Sequence, residues 1–362
     1  MKRKKFIGLN MDDLTIVLII GKRKEFFHYT LRWMAFASKN YNNFKIIIAD
    51  GSGNLQIEEK LYTKKSYNFD YNYIKYPVDK SYSEYFAKID NALGKVDTEF
   101  SVLADDDDFF NKDSLIKSKN FLKNNNEFST CRGTIGNFKI NSNFSLQSIN
   151  LPQSQQSIID EKSKERVANN FILNSSPTFY DVHRSELQKK QYKILSEQNF
   201  LEPTMVEMLT EYLDVVDGKV HRFNDLYLMR QSGMNHSSNK KFTEKNGGIL
   251  ERLSFGNFSH DLKKWIQIIS ERISTAEKID YHEAYNFVKE KFLNKLEQEL
   301  VESSELYSNK NMKSPLFKKF IKQFIPDTYF ERIEIKRLNS LVNKDPFLKN
   351  IHNHLSERYD LN

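Results

Sequence analysis

The sequence predicts an α/β protein whose mostly parallel sheet carries helices on both faces, followed by a mainly helical segment. Three observations predict it. Short apolar runs rich in β-branched residues alternate with amphipathic segments over the first hundred residues, the pattern of a parallel sheet covered on both sides. Two of those runs end in acid, at Asp50 and at Asp105 to Asp108. From about Ile249 onward the apolar residues recur at helical spacing and strand signals nearly vanish.

The elements follow in order. Leu14 to Ile20 (LTIVLII), with acids before it and Gly21 after, suits a strand buried on both faces. Phe26 to Ala37 reads as a helix, and Phe44 to Ala49 as a second buried strand that ends in the turn residues Asp50 to Asn54. A helix near Leu55 to Lys64 and a tyrosine-rich strand, Tyr71 to Tyr76, come next. Ser81 with Glu84 three positions on has the spacing of a capping box and opens a helix to Leu93. Phe100 to Ala104 is a strand that runs straight into four aspartates. Phe128 to Ile140 has strand character, Asn141 to Gln156 reads as a mobile polar loop, and Phe171 to Val182 reads as extended. Pro203 to Val216 is a helix with proline at its first position, and Lys219 to Met229 is a last strand. A boundary beside Gly247-Gly248 divides an α/β domain, 1–245, from a helical domain, 246–362.

Composition narrows the class. With 39% apolar residues, 28 Phe and 18 Tyr among 362 residues, the chain buries enough surface to offset its ordering entropy. The single cysteine, Cys131, excludes an intramolecular disulfide framework or a multi-cysteine metal site and suits a reducing, cytosolic compartment. The net charge of +7 is spread evenly, with 34 basic against 30 acidic residues over 1–240 and 21 against 18 beyond. Neither half is a polyanion-binding domain, so nucleic acid is not an expected partner. No run approaches the ~18 apolar residues that a membrane span requires, and Asn10, Asp12 and Asp13 interrupt what would be the apolar core of a signal peptide after Lys2 to Lys5.

Four adjacent aspartates repel one another, and a divalent cation held by hard carboxylate oxygens removes that cost. Mg²⁺ needs only one or two protein carboxylates when the substrate brings a diphosphate. The alternative is that some of these acids cap the helix beginning near Asn111 to Ser114, or face solvent.

Taken together, LTIVLII with its basic turn Lys22-Arg23-Lys24, FKIIIADGS and FSVLADDDDFF resemble the nucleotide-sugar-binding half of GT-A fold (Rossmann-like) glycosyltransferases. The likeness is to the family 2-like enzymes of bacterial surface-polysaccharide synthesis, over residues 14–110 and more loosely to about 240. The resemblance implies that Asp50 contacts the nucleotide, that Asp105 and Asp107 form the Asp-x-Asp pair with Asp108 as the following acid, and that Asp106 fills the middle position beside the donor. The frame is open by one residue. It also implies a general base at the start of a helix, for which Glu202 is the first candidate and Glu207 and Glu211 are rivals; Pro203 stands where the family has a second acid. Arg230 and His236 match a segment that approaches the diphosphate and the metal, and His183 and Arg184 are further candidates to reach phosphate.

The implied activity is metal-dependent transfer of a sugar from a nucleotide diphosphate sugar to a glycan or lipid-linked glycan, with inversion and with Mn²⁺ or Mg²⁺. A nucleotidyltransferase-like enzyme and a non-catalytic scaffold are the alternatives. Residues 315–325 carry Leu316, Phe317, Phe320, Ile321, Phe324 and Ile325 against Lys318, Lys319 and Lys322. That pattern fits either a helix packed on its own domain or one lying at the inner face of an anionic membrane. The helical segment is also a candidate surface for oligomerisation.

Overall fold

The computed structural model describes residues 13–21, 27–62, 67, 69–141, 145–152, 155–173, 177–232, 259–312 and 327–357. Its strands are β1 (Leu14–Ile20), β2 (Lys45–Asp50), β3 (Asn72–Lys75), β4 (Phe100–Asp105), β5 (Phe109–Phe110), β6 (Phe128–Ile140), β7 (Leu146–Asn150), β8 (Val182–Arg184) and β9 (Lys219–Gln231). Its helices are α1 (Phe27–Asn40), α2 (Leu55–Tyr62), α3 (Tyr82–Leu93), α4 (Lys112–Asn124), α5 (Ser163–Leu173), α6 (Ser185–Gln198), α7 (Pro203–Asp217), α8 (Ser259–Glu277), α9 (Tyr281–Met312), α10 (Asp327–Lys344) and α11 (Pro346–Ser356).

All nine strands join one sheet in the order β3-β2-β1-β4-β8-β6-β9-β5, with β7 beside β6. The pairs β1–β2, β2–β3, β1–β4 and β6–β9 are parallel. The short β8 lies antiparallel to both β4 and β6, so β4 and β6 themselves run the same way. The α/β, mostly parallel architecture expected from the alternation is the one found.

β1 shows why a continuous apolar run makes a central strand. Its side chains alternate between faces. Leu14, Ile16, Leu18 and Ile20 join a core with Trp33 and Phe36 of α1 and Leu115 and Leu122 of α4. Val17 and Ile19 join another with Ile89 of α3, Leu195 of α6 and Leu209 of α7. Each such fully buried side chain contributes roughly 1.5–3 kcal/mol relative to exposure.

The C-terminal helices are built into these same two cores. Trp265 and Ile269 of α8 and Val288 of α9 pack with α7 and α5, the Trp265 ring 5.0 Å from Tyr212. Leu348, Ile351 and Leu355 of α11 pack on the opposite face, with α1 and β1. The expected boundary beside 247–248 falls outside the described residues, as does the amphipathic segment 315–325.

Two expectations differ from the structure. The polar stretch 141–156 contains β7, which pairs with β6 from Asn137↔Asn150 to Ile140↔Leu146. The stretch 171–182 is expected to be extended, but its first residues end α5, and among the described residues of the stretch strand begins at Val182. In α5 the apolar positions facing the core are few, chiefly Val167 and Phe171 four apart; α6 is similarly sparse, with Tyr192 and Leu195. Such thin stripes give little periodic signal.

Candidate functional site

β1 lies between β2 and β4, and the register sets Ile20 beside Asp50 and Ile19 beside Asp105. The two terminal acids thus stand two strand spacings apart, about 10 Å, on the carboxyl edge where open α/β sheets bind ligands. Asp50 is buried and held: its Oδ1 accepts from the Ser52 amide at 2.8 Å and its Oδ2 from the Tyr73 hydroxyl at 2.7 Å. Burial, and then the Asp50 carboxylate, keep the Tyr73 phenol well above its ordinary range.

Beneath this edge Lys88 donates to the Ile20 carbonyl at 2.8 Å and pairs with Asp79 at 2.5 Å. Burial opposes both charges of the pair, lowering Lys88 and raising Asp79. A Cβ on Gly51 would lie 2.7 Å from the Asp79 carboxylate and 2.8 Å from Lys88 Nζ, so a side chain there would shift the ion pair.

The acidic run forms a tight turn between β4 and β5. Its carboxylates do not all point one way. Asp105, Asp107 and Asp108 each present an oxygen within 4.8 Å of the others. Asp106, expected beside the donor, is turned instead toward α1, where the Thr30 hydroxyl donates to its Oδ2 at 2.7 Å. Asp105, Asp107 and Asp108 thus form the cluster, and Asp106 stands apart from it. Asp108 is buried, and its Oδ1 accepts from the Gln231 amide at 2.9 Å. Burial, and then the charge of Asp107, push its carboxyl up to about 8, against the pull of Arg230 and Tyr180.

Arg230, half-exposed at the end of β9, brings Nε to 3.5 Å from Asp108 Oδ2. Its guanidinium lies over the Tyr180 ring at 4.7 Å. The Tyr180 hydroxyl donates to Asp105 Oδ2 at 2.7 Å. Behind the turn, Arg32 Nη2 donates to Gln231 Oε1 at 2.6 Å and its guanidinium lies 5.4 Å from the Phe109 ring. Here α11 closes the back of the site: His354 Nε2 sits 3.0 Å from the Arg32 carbonyl, and its ring meets Phe109 at 5.6 Å.

Three carboxylate oxygens gathered at one strand end, one from a carboxyl that burial pushes upward, fit a hard divalent cation. An all-oxygen donor set suits Mg²⁺ or Mn²⁺.

The candidates on the acceptor side fare differently. Glu202 is fully buried and caps α7, its Oε2 accepting from the Met205 amide at 2.8 Å, while its own amide donates to Asp261 at 2.8 Å. Glu202, expected as the base, is thus engaged as a buried helix cap. Glu211 is also buried and accepts from Asn170 at 2.7 Å. Glu207 is exposed.

His183 and Arg184 turn inward rather than toward a phosphate. His183 Nε2 lies 3.0 Å from Asp214 Oδ2, and Arg184 donates to the carbonyls of Phe128, Leu122 and Asn125. His236 and Lys22 to Lys24 lie outside the described residues.

Sequence reasoning missed Tyr73, Thr30 and the role of Tyr180. Thr30 and Tyr180 meet their aspartates across 76 and 75 residues of chain, and a tyrosine beside an apolar strand reads as ordinary core. The cluster Phe179-Tyr180-Asp181 was the available signal.

The chain is similar to solved structures of S. aureus TarS. TarS 1-349 shares 13% identity at a TM-score of 0.41, over 78% of this chain and 88% of that one. Its complex with UDP shares 13% at 0.44, over 77% and 70%, and its complex with UDP-GlcNAc 11% at 0.38, over 78% and 89%. No protein-family model matches the chain, nor does any curated protein. Among the described residues no helix is long and apolar enough to cross a membrane.

Proposed function

We propose that this chain is a metal-dependent glycosyltransferase of the GT-A type, moving a sugar from a nucleotide diphosphate sugar to a glycan hydroxyl. The observation that carries the reading is the gathering of Asp105, Asp107 and Asp108 at the end of β4, in line with Asp50 across the carboxyl edge. Asp107 and Asp108 would hold a divalent cation there, with Asp105 supporting it and the sugar and Asp50 gripping the nucleotide; the cation would supply neutralisation of charge on a departing diphosphate. Arg230, half-exposed beside the acids, faces the diphosphate with a permanent positive charge.

Glu207 takes the acceptor proton, in preference to the buried cap Glu202. An exposed carboxylate is accessible to an incoming hydroxyl and takes its proton as the oxygen attacks the anomeric carbon; inversion is what the resemblance to the family 2-like enzymes implies. A lipid-linked acceptor would bring the chain to the inner face of the cytoplasmic membrane.

The test is a panel of nucleotide sugars incubated with Mn²⁺, with the released nucleotide identified. Nucleoside diphosphate, formed only with metal, is the expected product. Nucleoside monophosphate or pyrophosphate would instead mark a nucleotidyltransferase-like enzyme, and donor binding without turnover, with every acceptor class supplied, would mark a scaffold.

A further inference from the structure

Building on the reading of the acidic turn as a metal and diphosphate site, we propose that Tyr180 is a positioning residue joining the two opposite charges of that site. Its hydroxyl fixes Asp105, and its ring carries Arg230. The residue precedes β8 and is almost completely buried. Its ring is held by Phe179 at 4.8 Å and Phe110 at 6.4 Å, and its carbonyl accepts from the Tyr227 hydroxyl at 2.8 Å. A ring so fixed has one direction in which to aim its hydroxyl, and Asp105 Oδ2 is there at 2.7 Å.

The bond restricts rotation of the Asp105 carboxylate, as partners behind metal ligands do. A phenol keeps its proton at neutral pH and is a donor to the carboxylate. The opposite charge rests on the same ring. At 3.5 Å the Arg230 Nε is too far from Asp108 for a well-formed hydrogen bond, whereas the ring face lies 4.7 Å from the guanidinium, within cation–π range. Phenylalanine would supply only the platform and leucine neither function, so the two arms separate by substitution.

The experiment uses the full chain and two probes, Mn²⁺ alone by electron paramagnetic resonance and UDP at saturating Mn²⁺ by calorimetry. Tyr180→Phe weakens Mn²⁺ roughly tenfold or more and leaves UDP affinity unchanged. Tyr180→Leu loses the same Mn²⁺ affinity and binds UDP roughly fivefold more weakly. Arg230→Gln weakens UDP in the wild-type and Tyr180→Phe backgrounds, where the ring is kept, but adds little in Tyr180→Leu; that non-additivity measures the contact. A merely structural tyrosine would lower the melting midpoint of the metal-free chain and weaken both probes together. The inference falls alone if wild type binds Mn²⁺ and Tyr180→Phe binds it equally well, or if Arg230→Gln has one penalty in all three backgrounds. Wild type that binds no Mn²⁺ removes the reading of the acidic turn, and this inference with it.

Discussion

Asp108 and Asp181 are both buried carboxylates beside strands of the same sheet, and their surroundings are opposites. Asp181 is completely enclosed and faces two arginines, with Arg132 Nε and Arg222 Nη1 each at 2.7 Å and the Thr130 hydroxyl at 2.8 Å. Burial, and then the charge of Arg222, lower Arg132 to about 10. Asp108 instead shares its place with Asp105 and Asp107 and has a half-exposed arginine at 3.5 Å. The first region has more positive than negative charge, sealed inside and joined by hydrogen bonds; it stabilises the sheet. The second has more negative than positive charge at an accessible strand end. Excess of one sign at an opening is what a ligand of the other sign relieves.

Asp107→Ala and Asp181→Ala test that contrast most severely. Asp107→Ala removes repulsion, so the metal-free melting midpoint stays the same or rises, while Mn²⁺ binding and metal-dependent turnover are abolished. Asp181→Ala leaves two buried guanidinium groups without their carboxylate and destabilises the fold by about 3–5 kcal/mol, seen as a lower urea midpoint. If the two variants exchanged these phenotypes, the assignment of one carboxylate to ligand and the other to scaffold would be reversed.

The next contrast lies along α7. Glu207→Gln lowers turnover by roughly 10²–10⁴-fold while donor affinity is kept. Glu202→Ala removes a cap and costs about 1 kcal/mol of stability, with turnover per folded molecule retained. Steady-state kinetics on both, corrected for folded fraction, decide the matter; a catalytic collapse confined to Glu202→Ala returns the base to the cap.

The same contrast explains what could be read in advance. β1 and β6 have the predicted ends, and β2 and β4 agree within a residue; for β1, β2 and β4 the reason is that a strand buried on both faces is almost wholly apolar and its acids come at the end. The capping box is real on one side: the Ser81 hydroxyl accepts from the Glu84 amide at 3.2 Å, while Glu84 reaches the Lys80 amide at 2.6 Å. Glu202 shows the limit. A carboxylate before Pro203 has the same local sequence whether it meets an acceptor or closes a helix, and it is Asp261, 59 residues on, that holds its backbone in the buried position. Asp106 shows it again, since four identical residues carry no mark of which one will turn toward Thr30.

The smallest effect concerns His183, in the scaffold half of the comparison. Its Nδ1 lies 2.8 Å from the Asp181 carbonyl, which can only accept, and its Nε2 3.0 Å from the Asp214 carboxylate. Asp214 is itself held by Gln191 at 2.6 Å. Burial works against a charged ring here, but the charge and hydrogen bond of Asp214, with those of Asp181, outweigh it and raise the His183 value. A folded-state value above the unfolded one means the protonated ring favours the native state. Its contribution is fully present below about pH 6.5 and is lost as pH rises through the raised native value. Melting midpoints of the metal-free chain measured from pH 6 upward should therefore fall more steeply for wild type than for His183→Gln, which keeps neutral hydrogen bonding at this position. Taking the difference between the two profiles cancels Asp108, which titrates in both. Parallel profiles would mean that folding does not raise the His183 value.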